Sequence, residues 1–456
     1  METWLHRLGH LIEETRYESL PPLSIERAKM CLLDTLGVMS HGSLTESSQA
    51  IYSWAKDQRV GGRSTVVGGG FKTSPLIAAL CNGTSGHSVE MDDFHKGSVL
   101  HPGVVVVPAV LAVGEEVGTS GRDSLLAFVL GYETMIRIGM ASLGTQHQLG
   151  FHPTGTCGIF GSAAAASRLY GLKEEKIVHA LGISGTQASG LLEYKTSGDW
   201  TKRLQAGMAS SRGILCAQLA SYGFTGPSTI LEGPYGFLKV FCAKYDVDLI
   251  GQKLGEKWMI EGISFKPYAS CRFSHAPIDA FLHILNEEDL EADEIEWVKV
   301  EVSEQAIRSI MYPEERKYRP ETVVDAQFSL PYCLAVAGLF RKVTPREFEA
   351  ERLKDERILS FARKVGAFAV ETYTKRYPRH IGCGVTLRAR GKTFSHEVID
   401  SKGDPEVPFS YEELEQKFKK LTDGILEISL QEKLIGKVRR FEDLISIGEI
   451  FEKENG

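Results

Sequence analysis

Residues 295–302 read IEWVKVEV, in which Val298, Val300 and Val302 alternate with Lys299 and Glu301. A period of two marks a half-buried strand, and it stands out because most of what precedes it has helical spacing. Ile25, Ala28, Cys31, Leu32, Thr35 and Leu36 fall on one face of a helix that would follow a Ser24 cap. Ser74-Pro75 predicts a second start, with a helix over 76–80 that stops near Asn82-Gly83. The small-residue runs GSAAAAS at 161–167 and GMASS at 207–211 predict helices at close approach, and 172–181 continues the style. On the other side of the strand, 385–389 and 394–399 flank a turn at Arg390-Gly391-Lys392 and read as a hairpin, while 328–339 and 347–365 look helical. Ser410 and Glu413 form a capping box before a helix bearing Leu414, Phe418 and Leu421. The expected fold is therefore mainly α. A helical body spans residues 1–256, a smaller mixed α/β domain spans 257–404, and the C-terminal segment 405–456 returns to the helical body.

Composition narrows the function. The 456 residues carry a net charge of −7 from 52 basic and 59 acidic side chains, with no long basic block, so neither nucleic acid nor an anionic membrane is an expected partner. The most apolar stretch, 99–113, contains His101 and two prolines and is too short to span a bilayer. The opening METWLHRLGHLIEE lacks the unbroken apolar run of a signal peptide, which makes the cytoplasm the expected compartment. Eight dispersed cysteines without a CxxC pair argue for reduced core residues and against zinc ribbons or iron–sulfur clusters. GGGFKTS, at 68–74, lacks the glycine–lysine spacing of a phosphate loop, so nucleotide binding is not expected.

The chemistry concentrates in GHSVEMDDFHKGSVLHP, residues 86–102, which gathers His87, Glu90, Asp92, Asp93, His95 and His101. Imidazoles beside carboxylates are suited to moving protons, because a carboxylate can orient an imidazole and raise its basicity. Metal ligation is the rival reading, but HExxH, facial-triad and paired-cysteine spacings are all missing, so no metal is expected. Three further segments read as pieces of the same site. His152 sits in GFHPTGT, just before the small-residue helix, where a helix N-terminus would attract an anion. Lys202 and Arg203 follow Thr201, with Lys195 nearby, and Lys266 in FKPY precedes Arg272 and His275. Such cations supply the fixed positive charge that a di- or tricarboxylate needs. Tyr332 offers a phenolic donor. A non-catalytic binding protein would need none of this histidine–lysine pattern.

The loop from His87 to Pro102, GFHPTGTCG, TKRLQAGMAS, GFTGPSTILEG, SFKPYASC, DAQFSLPY and SKGDPEVPFSYEEL occur in the order found in the MmgE/PrpD family, which the chain resembles over nearly its whole length. The resemblance implies a large all-helical domain with a smaller α/β lid, a homodimer, no metal or organic cofactor, and proton transfer beside a carboxylate of a small polycarboxylate. His101, His152, Lys202, Lys266 and Tyr332 stand at matching positions of those motifs. Where members usually read His-x-x-Asp-Phe-Asp-Asp-Thr, this chain has Glu90 for the first Asp and Phe94 for the Thr, and the loop to His101 is one residue longer. Gln205 stands where a His is frequent. The expected activity is a lyase resembling 2-methylcitrate dehydratase. His101 or His152 would take the proton, the other or Tyr332 would protonate the departing hydroxyl, and Asp93 or Glu90 would orient the histidine. Lys202, Lys266 and Arg203, with His275, would hold substrate carboxylates. Epimerisation, as of iminodisuccinate, is the alternative, with decarboxylation of the cis-aconitate type behind it.

Overall fold

The computed structural model describes residues 2–452. Its helical body is built around Pro75–Gly86, Gly103–Val117, Gly121–Ala141, Gly158–Leu169 and Thr201–Ser221, which pack on one another. The small residues set the helix spacing. A Cβ at Gly83 would lie 2.8 Å from the Gly207 Cα, and one at Gly161 would lie 2.8 Å from the Gly131 carbonyl oxygen. Gly83 is therefore a point of backbone contact and not a helix stop, and the helix expected to end there runs on to Gly86. Ser24, expected as a cap, lies inside Pro22–Gly42, whose first turn holds Pro22; its hydroxyl donates to Glu261 Oε1 at 2.7 Å. Proline at the first helical position has no N–H to satisfy. Gly121–Ala141 is long and apolar enough to cross a membrane, but 94% of its apolar window is buried in the fold.

The glycine-rich segment forms a hairpin, β1 (Ser64–Val66) with β2 (Phe71–Thr73), whose turn uses Gly68 and Gly70 at φ 72° and 70°. Four strands make the second sheet: β3 (Ile295–Val302), β4 (Val365–Ala369), β5 (Cys383–Ala389) and β6 (Lys392–Val398), in spatial order β4-β3-β5-β6. β3 runs parallel to β4 and antiparallel to β5, and β5 joins β6 through Arg390 and Gly391 at φ 50° and 70°, a type I′ geometry. Val298, Val300 and Val302 face inward and Lys299 and Glu301 outward, as the alternation requires. The helical reading of 347–365 is corrected: the segment holds short 3₁₀ turns and the helix Glu356–Ala362, and its end enters β4.

The fold is thus mainly α with a smaller α/β portion. The capping box forms, with Ser410 Oγ accepting from Glu413 N and Glu413 Oε2 from Ser410 N. Its helix, Tyr411–Thr422, lies on Pro22–Gly42, where Lys417 Nζ meets Asp34 Oδ1 at 2.6 Å. All eight cysteines are buried and free.

Candidate functional site

The loop from His87 to Pro102 leaves the helix Pro75–Gly86 and feeds the helix Gly103–Val117, and other parts of the fold grip it from several sides. Phe94 and Ser264 exchange backbone hydrogen bonds of 2.9 and 2.8 Å. Lys96 Nζ reaches Asp400 at 2.9 Å and Glu406 at 2.8 Å. Gln327 donates to the Val89 carbonyl, Lys417 to that of Met91, and the His101 N–H to Thr154 Oγ1. This grip holds Glu90 and Val99 in left-handed backbone conformations, φ 56° and 55°. Each costs on the order of 1–3 kcal/mol and persists only where the surroundings over-determine it.

Asp92 stands between two imidazoles, with Oδ2 at 2.8 Å from His87 Nδ1 and 3.0 Å from His101 Nδ1. Burial alone would raise this carboxyl, but His87 and His101 outweigh it and hold it well below the usual range, so Asp92 stays ionised. His101 Nδ1 also lies 2.8 Å from the Asp93 carbonyl, which can only accept. Nδ1 therefore carries a hydrogen and Nε2 is the nitrogen left for proton exchange. His152 follows the same logic. Gln205 Nε2 donates to the Leu191 carbonyl, which turns Gln205 Oε1 toward His152 Nδ1 at 2.7 Å and again leaves Nε2 as the base. Burial, with His101 nearby, pushes His152 down to about 3, so its ring is neutral at neutral pH. His87 is also held well below 6.5 by burial; its ring lies 5.0 Å from His101 and 5.6 Å from His152.

Facing the imidazoles is a carboxylate flanked by two ammonium groups. Glu90 pairs with Lys202 through Oε1 and with Lys266 through Oε2, the latter at 3.1 Å, and Lys266 also donates to the Glu90 carbonyl at 3.1 Å. Burial drives both lysines downward, and each is lowered further by a neighbouring cation, Lys266 beside Lys202 and Arg272 beside Lys266, while Asp92 favours the charged form of Lys266. Arg272 pairs with Asp404 at 2.5 Å.

Of the residues expected to form the site, Glu90, His101, His152, Lys202 and Lys266 line one narrow cavity of about 60 Å³. Ser309 and Phe328 help close it, so both parts of the chain contribute walls. The other four lie elsewhere. The Tyr332 hydroxyl donates to the Glu347 carbonyl at 3.1 Å and its ring packs on Phe348, which makes it a core aromatic. Arg203 points at Ser47 Oγ, 2.9 Å away. His275 sits behind the wall between Arg272 and the Ser270 carbonyl. The Asp93 carboxylate turns away to accept from Gly103 N and Tyr132 Oη, and burial with Asp34 raises it to about 7. Asp92, not Asp93, is the carboxylate on the histidines. A short helix, Pro153–Thr156, stands between His152 and the small-residue helix, which begins at Gly158. Sequence reasoning passed over His147 and the orienting part played by Gln205. The cavity also takes in Lys195, which the sequence placed only nearby, with its Nζ 3.2 Å from His147 Nε2.

His87, His101 and Asp92 each offer one ligand atom within 4.8 Å of the others and could hold a metal ion. A metal there would have to displace the hydrogen bonds that fix both rings. His380, Asp400 and Glu406 form a second such group, which Lys96 already engages.

One narrow cavity thus brings together the imidazoles of His101 and His152, with the ionised Asp92 behind His101, and the lysines Lys202 and Lys266. The chain matches the MmgE/PrpD N-terminal domain over residues 6–250 and the MmgE/PrpD C-terminal domain over 268–443, and it belongs to that family. It is 28% identical to a cis-aconitate decarboxylase-like protein of Aspergillus oryzae, over 97% of this chain and 95% of that protein. It is also 28% identical to human cis-aconitate decarboxylase, over 96% of this chain and 90% of that one. Similarity to 2-methylcitrate dehydratase of Escherichia coli K12 is 25%, over 52% of this chain and 50% of the dehydratase.

Proposed function

We propose that this chain is a lyase that acts by acid–base proton transfer on a small polycarboxylate, with elimination of water as its net reaction. The observation that carries this reading is the pairing of two imidazoles, His101 and His152, each anchored through Nδ1 so that Nε2 is left for proton transfer, with Lys202 and Lys266 in one cavity. An unprotonated Nε2 is the form that removes a proton. Lys202 and Lys266 stabilise the negative charge that then develops on the substrate, and the ionised Asp92 stabilises the imidazolium left on His101. A lysine ammonium supplies the proton to the leaving hydroxyl. Each positioned acid or base contributes on the order of 10²–10⁴-fold. Because the cavity is far smaller than the roughly 300–1,000 Å³ of ordinary ligand sites, its walls part to admit the substrate.

Decarboxylation is the second reading, favoured by the full-length likeness to cis-aconitate decarboxylases. It begins with loss of carbon dioxide and ends with protonation of the carbanion that remains, for which a lysine ammonium is the acid at hand. Incubation with methylcitrate, citrate, cis-aconitate and the dicarboxylates malate and tartrate, followed by NMR and carbon dioxide measurement, decides between them. Water loss with a new alkene supports the proposal. Carbon dioxide release supports the second reading, and turnover of none of them refutes both.

A further inference from the structure

The cavity is lined by a further lysine, Lys195, that the proposed chemistry does not use. Lys195 lies in the turn Tyr194–Ser197, and its ammonium reaches His147 Nε2 at 3.2 Å. Burial and the Lys195 charge keep His147 far below its ordinary range, so its neutral ring accepts from Lys195. Among the described residues Lys195 has no carboxylate within ion-pair distance, and burial lowers its own pKa. One of its three N–H donors serves His147, which leaves donors to face the cavity.

A half-buried cation that has a neutral hydrogen-bond partner but no carboxylate is free to take one from a ligand. The two groups match in charge. Lys202 and Lys266 carry two positive charges against the single negative charge of Glu90, a net of one. Lys195 with neutral His147 is also a net of one. We infer that Lys195 and His147 form a second carboxylate-binding subsite, so that the cavity selects a dicarboxylate gripped at both ends. Glu90 occupies the charge that a third carboxylate would otherwise meet. This inference rests on reading the cavity as the substrate site.

Isothermal titration of the intact protein with succinate, butyrate and tricarballylate separates the possibilities. Succinate is expected to bind more tightly than butyrate, by about ten-fold or more for the added charge-assisted contact. Lys195→Met should abolish that preference, while Lys195→Arg and His147→Gln, which keep the cation, should retain most of it; circular dichroism checks that each variant folds. If Lys195→Met keeps the wild-type ratio, or tricarballylate binds best, the inference is overturned and the proposed function stands. If no polycarboxylate binds the folded wild-type protein, both fall.

Discussion

Asp92→Asn is the perturbation that reaches deepest into the proposed mechanism. Asp92 accepts from His87 Nδ1 at 2.8 Å and His101 Nδ1 at 3.0 Å, yet it does not line the cavity. The change removes a full negative charge roughly 4 Å from the imidazolium that forms when His101 takes a proton, worth about 4 kcal/mol at an effective dielectric constant near 20. At about 1.4 kcal/mol per factor of ten, that predicts a loss of about 10³ in kcat. The Asp93 carbonyl, 2.8 Å from His101 Nδ1, still fixes the tautomer, so the loss is one of charge rather than orientation. KM should change little. The assay is the steady-state rate of product formation by NMR on whichever polycarboxylate the wild type turns over, with circular dichroism to confirm the fold. A kcat within ten-fold of wild type would refute the assignment of Asp92, as would a loss confined to KM.

Three other outcomes follow from the packing and the loop. Gly83→Ala drives a Cβ to 2.8 Å from the Gly207 Cα and should cost about 1–3 kcal/mol in chemical denaturation, through helix overpacking. Lys96→Met leaves Asp400 and Glu406 without their shared cation; stability should fall by up to about 3–5 kcal/mol and activity should drop as the loop loosens, both read at moderate ionic strength. Burial lowers His95 from 6.5 to about 4, so between those pH values the unfolded chain binds the proton and the folded chain does not. Its contribution is complete above pH 6.5 and is lost as pH falls toward 4, by up to about 3 kcal/mol. His95→Gln should flatten the pH dependence of stability in that window, measured by urea titration at several pH values.

Much of the fold was legible because its signals are local. The alternation in β3 and the capping box at Ser410 need only a few neighbouring residues, and both form. Gly83 was misread because a glycine that ends a helix and one that admits another backbone look alike until the partner, Gly207, is in place. β4 was hidden because its five residues, VGAFA, offer no polar–apolar alternation, and as an edge strand with only Val365 buried it shows no core-facing pattern. In the site, the loop at 86–102 announced itself by density. Adjacent carboxylates, however, point opposite ways, so nothing local said that Asp92 and not Asp93 faces the rings. Lys195 and His147 are separated by 48 residues, and only the folded chain joins them. Tyr332 matched a motif but packs into the core.

The central claim is that His101 exchanges a proton with carbon beside a substrate carboxylate. Deuterium incorporation from D₂O, followed by NMR on the polycarboxylate the wild-type protein binds, tests it most directly when compared with His101→Gln. The account predicts labelling at that carbon by the wild type and a fall of about 10²–10⁴-fold in the folded variant. Undiminished labelling by His101→Gln, or none by the wild type, would contradict it.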